Sequence, residues 1–492
     1  MTIDAIPQDR RAAGHARRKQ LRRQEHCTWD PKLRRHNPLV LLERSMKGRV
    51  PALVPLKYER MAASPFGFFR GAVPIMAADL SLLPNTTIVS QLCGDAHVRN
   101  LGAYAAPDGR LVFDINDFDE TIRGPFEWDL KRLATSLVLA GRATRAKDSF
   151  CKEAVTAFIQ RYRKSVRTFS RMPVVEMTHY QVHRLGSVFP ISTVLMKAER
   201  STALHTLVTV TVPTASASTP ATAKPETGKS KAPKSKAPKS KTPRSKTPAK
   251  KPAPCPETPR IFKEHGPEVT RLTASQARPV LASLSEYCEH LLPERQHFLA
   301  QYRPVDVCFR VVGTGSVGTR DYCIYFEGNG PCDPLFLQVK EEPGSAYLPY
   351  LDHGDEPRHR GRIVADGQRA MQFASDPFLG WTTIANRDYI VRQLNDHKAS
   401  IEVDDLQGQG LIAYAEVCGD LLARGHSRSG DPQMMTGYLG NAESFGNAIA
   451  AFAVAYADQT EADWHRLLKS KHAPAITTPA YAKAANKTTN KA

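Results

Sequence analysis

The stretch Gly94-Asp95-Ala96-His97-Val98-Arg99-Asn100, continued by Phe113-Asp114-Ile115-Asn116-Asp117-Phe118-Asp119, governs how the rest of this chain is read. Asp95 precedes Asn100 by five positions, and Asp117 follows a short apolar strand, Leu111–Ile115, entered through the turn Pro107-Asp108-Gly109. Phosphoryl transfer needs one carboxylate to orient or deprotonate an acceptor hydroxyl, and oxygen ligands that hold Mg²⁺ against phosphates. Asp95 suits the first task, and Asn100 and Asp117 suit the second. The plainer reading is that Asp95 and Asn100 make turn hydrogen bonds, and that His97 is a structural histidine.

Downstream, Gly124-Pro125-Phe126-Glu127-Trp128-Asp129-Leu130 opens an amphipathic helix over Trp128–Gly141, with Leu130, Leu133, Ala134, Leu137 and Val138 on one face. With these pieces in order, the chain resembles the aminoglycoside-phosphotransferase branch of the kinase-like superfamily. That branch carries an HGDxHxxN loop, a strand ending in an Asp-aromatic pair, and a helix beginning Asp-Leu. The resemblance implies ATP and Mg²⁺ as the bound species. His97, Asp119 and Asp129 become candidates for supporting the loop. Cys93 stands where the branch has its first histidine, which puts the loop's support in question. A metallophosphoesterase reading of Gly-Asp-Ala-His would need further His/Asp clusters, and the sequence has no convincing set.

A second set of signals lies about two hundred residues later. Gly313-Thr314-Gly315-Ser316-Val317-Gly318 sits between two strand-like runs rather than between a strand and a helix. That context fits a loop covering nucleotide phosphates better than a dinucleotide turn. The following strand ends Phe336-Leu337-Gln338-Val339-Lys340, an apolar strand closing on a lysine that could reach phosphates. Gly313, Gly315, Ser316, Gly318 and Lys340 are therefore the candidate nucleotide-binding residues. A bulged hairpin with a surface lysine is the alternative. A carboxylate partner for Lys340 is not evident: Glu341, Glu342 and Asp366 are all nearby in sequence. Tyr389–Leu394 reads as a core strand or as a hinge beside a base.

In ordinary kinases the glycine loop and lysine precede the acidic loop, and here the order is reversed. One account makes the second block a complete kinase, with His426-Ser-Arg-Ser-Gly-Asp431 as its catalytic loop. Thr436 then stands where a metal-binding Asn is needed. The other account is a two-lobed α+β protein-kinase-like fold, circularly permuted, with the site assembled from both blocks. The second is preferred, and it leaves His426 and Arg428 as loop-support candidates. Segments such as SPFGFFRG (64–71), VVGTGSVGTR, LQVKEE and LARGHSRSGD also resemble the bacterial domain-of-unknown-function family 2252, which brings no known substrate.

The 492 residues carry 68 Lys+Arg against 49 Asp+Glu, a net charge of +19, with 41% hydrophobic residues. The charge is concentrated. Residues 213–260 contribute +10, residues 1–36 contribute +6 and residues 469–492 contribute +5, leaving −2 for the remainder. The central run SKAPKSKAPKSKTPRSKTPAK, in a stretch with 11 prolines, cannot build a core and reads as a disordered insert. It is either a solvated linker or a segment binding nucleic acid or another polyanion through counterion release. The expected organisation is a basic N-terminal arm (1–36), a helical lobe with the acidic loop (37–205), the insert (206–261), a strand-rich nucleotide-covering lobe (262–400), a second helical part (401–470) and a disordered basic tail (471–492).

No apolar run is long enough to span a bilayer, and no apolar core follows the Arg-rich start, so neither a membrane span nor a secretory signal is expected. Nine scattered cysteines without a CxxC pair fit a reducing cytoplasm. These readings favour a phosphotransferase acting on an unidentified hydroxyl. A nucleotide-binding pseudoenzyme, a nucleotidyl transferase on the same residues, and a polyanion-binding protein working through 213–260 are the rivals.

Overall fold

Alternation of apolar residues makes the strands, and each strand face then finds its own core. The computed structural model describes residues 9–182, 185–214, 256, 258–352, 358–394, 397–441 and 443–473. In chain order the strands are β1 (Val89–Leu92), β2 (Leu101–Ala105), β3 (Leu111–Ile115), β4 (Ile122–Pro125), β5 (Thr211–Pro213), β6 (Arg260–Phe262), β7 (Val269–Arg271), β8 (Arg303–Arg310), β9 (Asp321–Glu327), β10 (Pro334–Glu341), β11 (Gly380–Ile384), β12 (Arg387–Gln393) and β13 (Ala399–Ser400). The rest is mainly helical, so the chain is mixed α+β.

Six strands form one antiparallel sheet in the order β11-β12-β10-β9-β8-β7. On β10, Leu335, Leu337 and Val339 pack with Val280, Tyr287 and Leu291 of the preceding helical segment. Phe336, Gln338 and Lys340 point to the other face by the two-residue period of a strand. Slipping the register by one residue would turn Lys340 into the helical core, so this apolar alternation places the lysine. The helically spaced Leu281, Leu284 and Tyr287 fall on two successive helices, Ala274–Ala282 and Leu284–Glu289.

The larger core draws on both halves of the chain. The helix Glu127–Ala143 contributes Leu130, Leu133 and Leu137, and it packs with the helices Asp148–Phe169, Gln409–Ser429 and Ser444–Leu468. The stripe Phe445, Ile449, Phe452 and Tyr456 is buried there, as its spacing requires. A Cβ on Gly419 would lie 2.5 Å from the Phe158 carbonyl oxygen, so the helices holding them approach backbone to backbone. Three short strands form a further sheet in the order β13-β2-β3, and β1 pairs with β4.

Two expectations about the appendages need correction. The N-terminal 1–36 segment is not a free arm over the residues described. Its helix Arg10–Gln20 packs on the helix Pro432–Leu439, and Arg18 Nε donates to the Tyr438 carbonyl at 2.7 Å. Arg34 is buried between Asp79 and Asp463, with N···O distances of 2.5 and 2.6 Å. The 206–261 insert also has structured ends. β5 pairs with β6, Arg260 Nε donates to Thr211 Oγ1 at 2.7 Å, and Leu207 and Phe262 pack on Tyr325 and Phe336. Those ends lie outside the Lys/Pro repeat and carry the apolar residues that the repeat lacks. Residues 215–255, like 474–492, lie outside the described residues. Cys332 is disulfide-bonded, whereas Cys27, Cys93, Cys151, Cys288, Cys308, Cys323 and Cys418 are free thiols. No helix among the described residues is long and apolar enough to cross a membrane.

Candidate functional site

The acidic loop follows β1 and is gripped from behind. Gly94 sits at φ +81°, and a Cβ there would meet the Glu120 carbonyl oxygen at 1.9 Å, so only glycine fits. Asp129, on the first turn of its helix and buried, accepts from Cys93 N at 2.7 Å and Gly94 N at 3.0 Å. His426 Nε2 lies 3.2 Å from the same carboxylate, and Tyr162 Oη lies 2.9 Å from His426 Nδ1. Asp129 and His426 therefore provide the support that Cys93 left in question. Arg428 plays no part in it: its guanidinium donates to the Thr178 carbonyl.

Asn100 ties the two acidic segments together. Its Nδ2 donates to the Asp95 carbonyl at 3.0 Å and the Asp117 carbonyl at 2.9 Å. Its Oδ1 and the Oδ1 of Asp117 are both buried without a hydrogen-bond partner. Two orphaned oxygens, one amide and one carboxylate, fit a hard cation that takes its remaining ligands from water or phosphate. Among the described residues no three His, Cys, Asp or Glu side chains are grouped to hold a metal by themselves.

Asp95 is held on one side only. Arg132, fully buried, donates to its Oδ1 from Nε at 2.8 Å and Nη2 at 2.5 Å, and stacks on the Phe69 ring at 4.2 Å. Oδ2 is left toward the cleft, 3.6 Å from His97 Nε2. Burial pushes His97 down to about 3, so the ring is neutral near pH 7. Arg132 was missed in the sequence; its signal is its place three residues after Asp129, one turn along the same helix.

Lys340 crosses the cleft to the acidic segment. Its ammonium ion-pairs with Asp119 and lies 4.0 Å from Asp117 Oδ1. The partner is thus neither Glu341, which binds Arg320 and Arg387, nor the surface residue Asp366, which pairs with Arg362 and Arg369. Burial opposes the charge on Asp117, but Lys340 and Arg392 outweigh it and draw that carboxyl below its usual range. Burial and the Asp117 charge push Asp119 up to about 6 despite the lysine. Burial is likewise outweighed at Lys340, where Asp119 and Asp117 hold the ammonium above the usual lysine range.

The glycine loop joins β8 to β9, with Gly313 at φ +66° and Gly318 at φ +90°. Except for that of Ser316, which accepts from Thr319 N and Oγ1, its carbonyls face cationic or backbone donors from residues 49–60. Lys57 donates to Thr314 and Gly315, Arg60 to Gly313, Arg49 to Val317 at 2.6 Å, and Val50 N to Gly318 at 2.7 Å. No hydrogen bond among the described residues uses the amide N–H groups of Gly313 to Gly318. Lys57 is a buried lysine that its sequence context did not advertise, and burial pulls its ammonium well below the usual range.

One cleft is lined by Asp95, His97, Asp117 and Asp119 from the first block and by Gly313, Gly315, Ser316 and Lys340 from the second. Asn100 lies buried beneath it, and Gly318 turns away toward Arg49. Asp431 is not in the cleft; it caps the helix Pro432–Leu439 by accepting from Gln433 N and Met434 N. Behind Lys340 on the same sheet face, Gln338 donates to Asp321 at 2.7 Å and accepts from Arg392 at 2.9 Å. The expected hinge segment is β12, whose Ile390 and Val391 are fully buried.

Residues 49–470 match the model of the family described as uncharacterized protein conserved in bacteria (DUF2252), and the chain belongs to that family. No curated protein and no solved structure matches it.

Proposed function

We propose that this chain is an ATP- and Mg²⁺-dependent phosphotransferase of circularly permuted, kinase-like fold, acting on a hydroxyl acceptor. One observation carries the reading. Lys340, on the second strand after the glycine loop, ion-pairs with Asp119, two residues beyond Asp117 and more than two hundred residues from the lysine. The pieces phosphoryl transfer requires thus come from two distant segments and meet in one cleft. A glycine loop between adjacent antiparallel strands, a lysine on the next strand and a helix after it (Arg360–Met371) are further support.

In this reading the unused amides of Gly313–Gly318 cradle phosphate oxygens, and Lys340 supplies a fixed positive charge beside them. Asn100 Oδ1 and Asp117 Oδ1 would hold Mg²⁺, whose charge offsets that of the phosphates. The acceptor oxygen bonds to the terminal phosphorus as the bond to the bridging β–γ oxygen breaks. The bonding pair leaves with the diphosphate, and the hydroxyl proton passes to Asp95 Oδ2. Arg132 fixes the Asp95 carboxylate in place through Oδ1. A loose transition state asks little of it beyond orienting the hydroxyl and taking the proton late.

That grip is also the observation favouring a second reading, a nucleotide-binding protein that no longer turns over. ATP consumption with Mg²⁺ separates the two. Asp95→Asn is expected to lower turnover by about 10²–10⁴-fold with nucleotide affinity retained. Wild-type and Asp95→Asn proteins with equal turnover would remove Asp95 as the base.

A further inference from the structure

Of the cations at the cleft between the acidic and glycine loops, Arg132, Lys340 and Arg49 are already engaged. Arg132 is bound to Asp95, Lys340 to Asp119, and Arg49 donates to the Val317 and Ser45 carbonyls. Arg70 is different. It lies at the end of the helix Pro65–Gly71, whose Phe66, Phe68 and Phe69 are buried, and its side chain lines the cleft. Asp95 and Asp117 influence it, but no acidic side chain among the described residues approaches its guanidinium within ion-pairing distance.

Among the described residues the one polar atom within hydrogen-bonding distance of its side chain is His97 Nε2, 3.5 Å from Arg70 Nε. His97 Nδ1 accepts from Arg99 N at 3.1 Å, which leaves the proton of the neutral ring on Nε2. Two N–H groups then face each other, so Arg70 gains no acceptor from His97. A guanidinium with its donors unspent, largely withdrawn from water, is poised for an anion. Its position says which one. The Arg70 carbonyl is 3.4 Å from where a Cβ on Gly315 would stand, so the residue touches the glycine-loop tip. Its side chain ends beside His97, whose Nε2 lies 3.6 Å from Asp95 Oδ2. Arg70 thus spans the gap between the phosphate-covering loop and the carboxylate that would meet the acceptor.

We propose that Arg70 is a catalytic residue that binds the terminal phosphoryl group in transit, an arginine finger supplied by the chain itself. The inference rests on the nucleotide reading of the cleft. As the bridging P–O bond breaks and the acceptor O–P bond forms, the guanidinium fork meets the charge on the transferring group's equatorial oxygens.

Titration calorimetry with Mg²⁺, using ADP and a non-hydrolysable β,γ-imido ATP analogue, tests this on wild type, Arg70→Ala and Arg70→Lys. Arg70→Ala is expected to bind the analogue at least about tenfold more weakly while ADP binding stays unchanged, and Arg70→Lys should fall between. ADP affinity also reports that each variant is folded. Equal losses for both ligands, or none for either, would overturn the role of Arg70 while leaving the nucleotide site standing. A wild-type protein that binds neither ligand would overturn the nucleotide reading and this proposal with it.

Discussion

The two loops that face each other across the cleft are held by opposite chemistry. The acidic loop is fixed from behind, its amides donating to Asp129 and Asp95 Oδ1 accepting from Arg132, so Asp95 Oδ2 and Asn100 Oδ1 are left to meet a ligand. The glycine loop is fixed through its carbonyls, which accept from Lys57, Arg60 and Arg49, so its amides are left. A backbone group already bonded from behind cannot turn toward the cleft. The support therefore decides which pole of the peptide each loop presents, negative groups on one side and N–H dipoles on the other. A phosphate bound with a cation needs both.

Substitutions can break that contrast. The largest effect is expected for Gly94→Ala. The new Cβ would clash with the backbone oxygen of Glu120 in a left-handed conformation, and unfolding titration should show a loss of more than about 3 kcal/mol.

Glu120 sharpens the same side. Burial pushes it up to about 7 although it accepts from Ala346 N at 2.6 Å. A carboxyl raised in the folded state binds more protons than the unfolded chain does. Its stabilising contribution is present below its unfolded pKa and is lost as pH rises toward 7. Because the residue is partly exposed, wild type should lose about 1–3 kcal/mol relative to Glu120→Gln between about pH 4.5 and 7.5, measured by urea unfolding across that range. A pH-independent difference would show that Glu120 is ordinary.

On the opposite side, Lys57→Met strips the donor from two glycine-loop carbonyls while relieving a buried ammonium. The net loss should be only about 1 kcal/mol, with nucleotide affinity falling more than stability does. Gly315→Ala is expected to change stability by less than about 0.5 kcal/mol, since its Cβ would make ordinary contact at 3.4 Å. Its effect should appear in ligand affinity, where the methyl group stands in the way of close approach. If stability and affinity fell together for Gly315→Ala as expected for Gly94→Ala, the loops would not differ as described.

Much of this arrangement could be read along the chain. β3, β10 and β12 and the helix Glu127–Ala143 follow apolar periodicity closely. The residues that line the cleft stand out because Asp, Asn and Gly fall at chemically meaningful spacings. What escaped were partners with no local pattern. Arg132 and Lys57 look like surface residues of amphipathic helices until the segments they bind are brought against them. Arg70 lay in a recognisable aromatic segment without a derivable task. The insert's bounds, 206–261, run past the Lys/Pro repeat and take in Leu207 and Ile261, apolar residues that are buried in the fold.

The sequence by itself determined the element types, the low-complexity run and the two motif sets, because periodicity and spacing are local properties of a chain. Only tertiary structure decided that Asp119 is the counter-ion of Lys340, that Asp129 and His426 hold the acidic loop, and that Arg70 is left unpaired. Ion pairing and burial depend on distance in space, and a chain of this length offers each charge many partners until packing selects one.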